Sequence, residues 1–220
     1  MPRNVLALGA VSLLTDASSE MVYWVLPLFL TQVLHAPVSV VGVIESVAEA
    51  TASLTKVLSG RLSDVLGRRK PLVVAGYSLS NVMKPLLALS ASWPAVLALR
   101  FADRLGKGIR TAPRDALIAD SADEAGRGRA FGTHRALDTF GAAIGPLVAW
   151  AVLSLRPGAF KTVFLLSAIP GTLAIVLAVV AVRETRGAPR RSGEVREPFR
   201  LRHLGRPFVV FTSLSAVFAL

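Results

Sequence analysis

Six stretches of this chain run for about 20 residues each with few charges, and they follow neither the alternating pattern of a strand nor the narrow stripe of a soluble helix. A helix that crosses a bilayer needs roughly 20 mainly apolar residues at about 1.5 Å of rise per residue. The stretches are Val5 to Leu34, Val38 to Leu58, Pro71 to Ser90, Trp93 to Ala112, Ala130 to Leu155 and Lys161 to Val182. They predict an all-α integral membrane protein. A seventh run opens at Pro207 and reaches Leu220 after 14 residues, about 21 Å of helix against a hydrocarbon core of about 30 Å. The expected organisation is therefore a six-helix transmembrane bundle over residues 1–182, a basic cytoplasmic linker over 183–206 and the truncated start of a seventh span over 207–220.

Charge orients the spans. Arg3, then Arg61, Arg68, Arg69 and Lys70, then Arg110, Arg114, Arg127 and Arg129, then the arginines from Arg183 to Arg206 all fall on one side. Only Arg156 and Lys161 fall on the other. Basic residues in short loops stay cytoplasmic, so the N terminus is expected inside the cell. The same placement accounts for the formal net charge of +11 and excludes nucleic acid as the partner it would suggest in a soluble chain. The start, Arg3 followed by VLALGAVSLL, has the look of a signal peptide, but the apolar run resumes at once as MVYWVLPLFL, which makes it an uncleaved first span. With no cysteine in the chain, disulfide and thiol chemistry are excluded. Likeness between the first three and the next three spans is too weak to establish an internal repeat.

The stretch after the second span carries the most specific signal: Gly60, Arg61, Leu62, Ser63, Asp64, Val65, Leu66, Gly67, Arg68, Arg69 and Lys70, with Pro71 opening the next helix where its missing N–H costs nothing. A cytoplasmic loop needs only basic residues, which leaves the ordered placement of Gly60, Asp64 and Gly67 unexplained. Glycines there point to close backbone approach and a tight turn, and Asp64 to a cap or an ion pair.

This stretch resembles the pattern GxxxDxxGRR/K between helices 2 and 3 of the major facilitator superfamily, matching at Gly60, Asp64, Gly67, Arg68 and Arg69. The resemblance implies the N-terminal half of a twelve-helix transporter, with Asp64 and the following arginines locking the cytoplasmic side, partly against a helix end in the missing C-terminal half. Two further stretches resemble family motifs. Arg100-Phe101-Ala102-Asp103-Arg104-Leu105-Gly106-Lys107-Gly108 is similar to an arginine-plus-glycine motif associated with proton coupling, in either of two registers. Gly141, Gly145 and Pro146 match the GxxxGP motif of the family's antiporters, without its trailing glycine pair, which is Val148-Ala149 here. Small residues four apart also serve plain helix packing.

Ionisable side chains inside a membrane are costly and usually face a bundle interior. Asp16 and Glu20 lie four apart on the first span, Asp16 about 17 Å deep. Glu45 and Glu49 repeat that spacing on the second, and the fourth carries Arg100, Asp103, Arg104 and Lys107. Arg135 and Asp138, three apart on the fifth, can pair along their own helix. Asp16, Glu20, Glu49, Asp103, Arg104, Arg135 and Asp138 are thus the expected transport and proton-coupling residues, with Asp16 and Glu20 first for protonation and Arg104 the modulating cation. Glu45, Lys107, Arg110 and Arg114 read as gate or interface groups, the last three close enough to the span ends to snorkel. In the resembled family, helices 1, 2, 4 and 5 line the central cavity.

The expected function is a secondary transporter moving a small solute by alternating access, proton-coupled, as a drug or metabolite exporter, in the inner or plasma membrane. Symport, antiport and uniport stay open, as does the solute, because a cavity between two halves takes residues from both. No GxxxxGK[ST] loop encodes an ATPase, no cofactor is expected, and no cluster has metal-ligand spacing. A membrane-embedded enzyme lacks a nucleophile and base at readable spacing. A non-transporting receptor or scaffold would leave the midplane charges as unexplained cost.

Overall fold

A computed structural model describes residues 1–185. The expected linker from residue 186 onward and the expected seventh span at 207–220 lie outside the described residues. Six helical segments succeed one another: α1 (Arg3–Val33), α2 (Val38–Leu66), α3 (Lys70–Leu89), α4 (Trp93–Asp120), α5 (Arg127–Leu155) and α6 (Phe160–Val180). Five are long and apolar enough to cross a membrane among the described residues. The exception is α4, expected to be the fourth span. It is a continuous helix, but Arg100, Asp103, Arg104, Lys107 and Arg110 lower its hydropathy, and it is housed by its neighbours.

Proline sets the breaks. Pro27 cannot donate to the carbonyl of Tyr23, and the first regular piece of α1 ends at Tyr23, the chain resuming at Leu26 and closing on a wide π-type turn at Phe29–Val33. Pro170 does the same to Leu166, where α6 breaks before continuing from Ala168. Helix α2 runs past its expected end at Leu58, through the stretch read as a loop, and stops only at Gly67. Gly67 takes φ +61°, and its N–H closes on the Ser63 carbonyl at 3.0 Å. A Cβ there would touch nothing within 4 Å, so Gly67→Ala is expected to cost about 1 kcal/mol through backbone strain alone. A lowered unfolding midpoint in detergent would register it.

The helices pair in a pattern that exchanging the first three for the last three leaves unchanged. Helix α1 packs on α5 and α6, as α4 packs on α2 and α3. A 3+3 repeat that residue identities were too weak to establish is therefore present in the packing. Lipid gives helices no hydrophobic reason to associate, so close contacts rely on small residues. A Cβ on Gly76 of α3 would lie 2.6 Å from the Gly106 carbonyl of α4, and one on Gly106 would lie 2.7 Å from the Gly76 carbonyl.

Two apolar clusters close the two ends of the bundle. One joins Val5, Leu8 and Val11 to Val73, Tyr77, Leu117 and Ala174 at the end bearing the N terminus. The other joins Val22, Leu26 and Phe29 to Val96, Phe160 and Phe164, with the rings of Phe29 and Phe164 edge to face at 5.1 Å. Between them lies a polar layer that includes Ser12, Thr15, Ser18, Ser80, Asn81, Lys84 and the charged face of α4. Outward, α2 and α5 expose Leu54, Val57, Phe140, Leu147 and Trp150.

Candidate functional site

Gly141 and Gly145 seat α5 directly on the backbone of α1, which brings Asp138 beside the Ser12 to Asp16 segment. Ser12 Oγ donates to Asp138 Oδ1 at 2.7 Å and accepts from Arg114 Nη1 at 3.1 Å. Arg135 Nη1 meets Asp138 Oδ2 at 3.1 Å, the pairing along one helix expected from their spacing. The carboxyl of Asp16 faces that of Asp138 within hydrogen-bonding reach. The pair opens into a cavity of about 440 Å³, to which Glu20, Lys56, Lys107 and Arg114 also contribute.

A second cavity of about 300 Å³ lies along the same face, lined by Glu20, Tyr23, Glu45, Glu49, Arg104 and Lys107. Glu20 and Lys107 border both cavities, so they stand at the passage from one to the other. Glu20 accepts from Trp24 Nε1 at 3.1 Å. The two registers of the arginine motif separate here. Arg100, only 3% exposed, donates from Nη2 to both oxygens of Glu45 at 2.8 and 3.0 Å and from Nη1 to Asp103 at 3.2 Å. Arg104, with Asp103 at 3.6 Å, is the one that lines the cavity. Asp103, expected among the transport residues, lines neither cavity. It sits at the α3–α4 contact, where its backbone carbonyl accepts from Ser80 Oγ at 2.8 Å.

Several groups depart from the sequence expectation. Arg110 and Arg114 do not snorkel. Arg110 is buried over the Tyr77 ring at 4.5 Å and donates to Ser80 Oγ at 3.0 Å, while Arg114 turns onto Asp115 at 3.0 Å as well as Ser12. A guanidinium with partners to hand inside the bundle has no need of the interface. Lys107 lines both cavities rather than the membrane edge. Glu45, read as a group near the surface, is the main acceptor for Arg100. Lys84, to which the sequence assigned nothing, is 2% exposed and donates to Ser18 Oγ at 2.9 Å, which donates in turn to the Ser167 carbonyl at 2.6 Å. The signal available was Gly76 and Ser80, small residues four apart that bring α3 close enough to cover α4.

Residues 8–220 match the sequence pattern of the Major Facilitator Superfamily. The chain belongs to the major facilitator superfamily. An uncharacterized MFS-type transporter of Methanocaldococcus jannaschii is 34% identical over 220 residues, covering 100% of this chain and 54% of the relative. A bacterial homolog of the human lysosomal transporter Spinster, solved inward-facing and occupied, superposes with a TM-score of 0.72 at 20% identity, over 86% of this chain and 46% of its own. A POT family transporter solved with a thioalcohol-conjugated peptide gives a TM-score of 0.76 at 17% identity, over 100% of this chain and 46% of its own. These structures establish a shared fold. The chain spans about half the length of the relatives it matches. It is a multi-pass membrane protein of this superfamily.

In this superfamily chain the signature stretch is mostly helix. Gly60 and Asp64 lie in the last turns of α2, and only Gly67, Arg68 and Arg69 form the turn into α3. A Cβ on Gly60 would stand 3.4 Å from Ala112 Cβ of α4, an ordinary contact. Arg69 reaches Asp120 and, at 3.2 Å, the Ala116 carbonyl at the end of α4. The N–H groups of Arg69 and Lys70 donate to Glu184 at 2.9 to 3.1 Å, a carboxylate set on the positive end of α3. Nearby, the Arg183 N–H donates to Asn4 Oδ1 at 2.9 Å, and Asn4 Nδ2 donates to Ser121 Oγ at 2.8 Å. One end of the bundle is thereby laced across α1, α3, α4 and the residues after α6.

The GxxxGP positions are an α1–α5 seat. A methyl group on Gly141 would fall inside the Leu13 carbonyl, and one on Gly145 would stand 2.6 Å from the Ala17 carbonyl. Pro146, inside α5, removes the donor that would meet the carbonyl of Ala142, a residue that lines the larger cavity.

Proposed function

We propose that this chain is the N-terminal half of a secondary transporter that moves a small solute by alternating access, coupled to protons, with its N terminus on the cytoplasmic face of the cell's inner or plasma membrane. A C-terminal half of the same protein supplies the other wall of the cavity, packed on the apolar faces that α2 and α5 leave exposed. The arginine-rich side of the sequence supports the orientation.

The observation that carries the coupling is that Asp16 and Asp138 face one another at a cavity of about 440 Å³ between helices. Two facing carboxyls hold one proton together far better than either holds a full charge beside the other. Rocking α1 against α5 would part them and release that proton, and Arg114, 4.0 Å from Asp138, would stabilise the bare carboxylate. Proton-for-solute exchange, and hence export, follows if solute and proton compete for the pair. Glu20, Glu49, Arg104 and Arg135 act in this reading as cavity charges around it, and Asp103 as the counter-charge that fixes the arginines of α4.

The test uses the full gene product in sealed vesicles under an imposed pH gradient, with a lumenal pH dye and a panel of amino acid, dipeptide and organic-cation probes. Wild type is expected to move protons when a transported probe is added. Asp16→Asn and Asp138→Asn are each expected to cut gradient-driven movement at least tenfold while probe exchange without a gradient persists. Probe movement indifferent to the gradient in wild type would overturn the coupling.

A further inference from the structure

Lys84 has no part in either cavity, yet it is among the most deeply buried charges of the bundle. It is 2% exposed on α3, and Ser18 Oγ of α1, at 2.9 Å, is its one hydrogen-bond acceptor among the described residues. That hydroxyl donates in turn to the Ser167 carbonyl, so the amine is held where α1, α3 and α6 meet. An ammonium has three protons to place, and a single hydroxyl is a poor exchange for water. Asn81, one turn earlier on α3, is buried too, with Oδ1 accepting nothing. A junction serving only to hold three helices together would be at least as stable with an apolar side chain at this position.

The charges around Lys84 decide what it can act on. Asp103, Arg104 and Arg110 reach it electrostatically from α4 and Asp16 from α1, while α6 brings the Ser167 carbonyl. Asp103 is already held by Arg100 and Arg104. Asp16 has no ion pair among the described residues and meets only the carboxyl of Asp138. Arg110 and Arg114 also act on Asp16, but the first is engaged by the Tyr77 ring and Ser80 and the second by Asp115 and Ser12. Lys84 is thus a buried cation without a carboxylate and Asp16 a carboxylate without a cation, linked through Ser18, two residues along α1 from Asp16.

We infer that Lys84 is a positioning residue of the proton site, an ammonium kept on Ser18 at the dry side of α1 that favours the bare carboxylate of Asp16 once the pair has lost its proton. The inference rests on the proton-coupling reading. When α1 and α5 part, each carboxyl stands alone and needs its own counter-charge. Arg114 serves Asp138, and Lys84 serves Asp16 from the opposite side of the helix, where no water weakens its field.

The test needs neither solute nor gradient. Infrared difference spectra of the full gene product in nanodiscs, titrated from acid to alkaline pH, follow the band of a protonated carboxyl, assigned to the pair by its loss in Asp16→Asn. Lys84→Gln keeps a donor for Ser18 and drops the charge, and Lys84→Met drops both. Each is expected to raise the midpoint of that band by about one pH unit, because a cation that favoured the ionised form is gone. Lys84→Arg, which keeps a permanent charge, should leave the midpoint at or below that of wild type. An unmoved or lowered midpoint in a folded neutral variant, or as large a rise in Lys84→Arg, would overturn the inference and leave the pair standing. No carboxyl band lost with Asp16→Asn would overturn the proton site and this inference together.

Discussion

Arg100→Met is expected to lower stability by about 3 kcal/mol, the low end of the cost of removing one partner from a buried ion pair. The arginine is 3% exposed and holds two carboxylates, one on its own helix and one on α2. Glu45 keeps 30% exposure, and the water this admits sets the low end of the range. Asp103 has no such relief and must fall back on Arg104 at 3.6 Å. The double change with Glu45→Gln should recover at least a third of the loss, because a neutral amide no longer needs the guanidinium. Arg100→Lys should behave more like the methionine variant than like wild type, since an ammonium cannot set one nitrogen on Glu45 and a second on Asp103 as the guanidinium does. Unfolding midpoints in detergent, with the fraction recovered as a monodisperse peak, give the comparison. If Arg100→Met melts with wild type, the α2–α4 pairing does not depend on this charge.

Gly141→Val is expected to cost about 3 kcal/mol and to abolish recovery of folded protein in detergent. The clash is with the Leu13 backbone of α1 rather than with the end of a flexible side chain, so relief means separating α1 from α5. Separation would also part Asp16 from Asp138, and a partly folded variant should lose proton coupling before it loses its helices. Gly132 is the internal control. It lies on the same helix with nothing within 4 Å, and Gly132→Ala should gain a few tenths of a kcal/mol from helix propensity. Equal melting of the Gly141→Val variant and wild type would mean that the α1–α5 seat is looser than its geometry.

The two variants divide what was legible in the sequence from what was not. Span number and approximate span limits follow from the length and composition of apolar runs, since every backbone group in hydrocarbon must be bonded within its own helix. The breaks near Tyr23 and Leu166 follow from Pro27 and Pro170 by the same local rule. The pairing of Arg135 with Asp138 is equally local, fixed by one turn of helix. Helix ends proved less legible. Nothing between Leu58 and Gly67 forbids a helix, and the end of the apolar run marks where lipid stops rather than where the helix does.

Partners across helices were not legible at all. The sequence places Asp16 and Glu20 on one face and Arg100 and Arg104 on another, but it does not say that Asp16 would meet Asp138, 122 residues away, or that Arg100 would take Glu45. It even sent Arg110 and Arg114 to the membrane edge, by the rule for long cations near a helix end. Those outcomes depend on which helix stands beside which and at what rotation. By itself the sequence determined six helices, their breaks, the charges that must turn inward and the family signature, all set by one residue and its near neighbours in a medium without water. The tertiary structure alone decided which charges neutralise one another and which are left facing the cavities, because an ion pair is fixed by a few ångströms of distance between groups that the chain separates by dozens of residues.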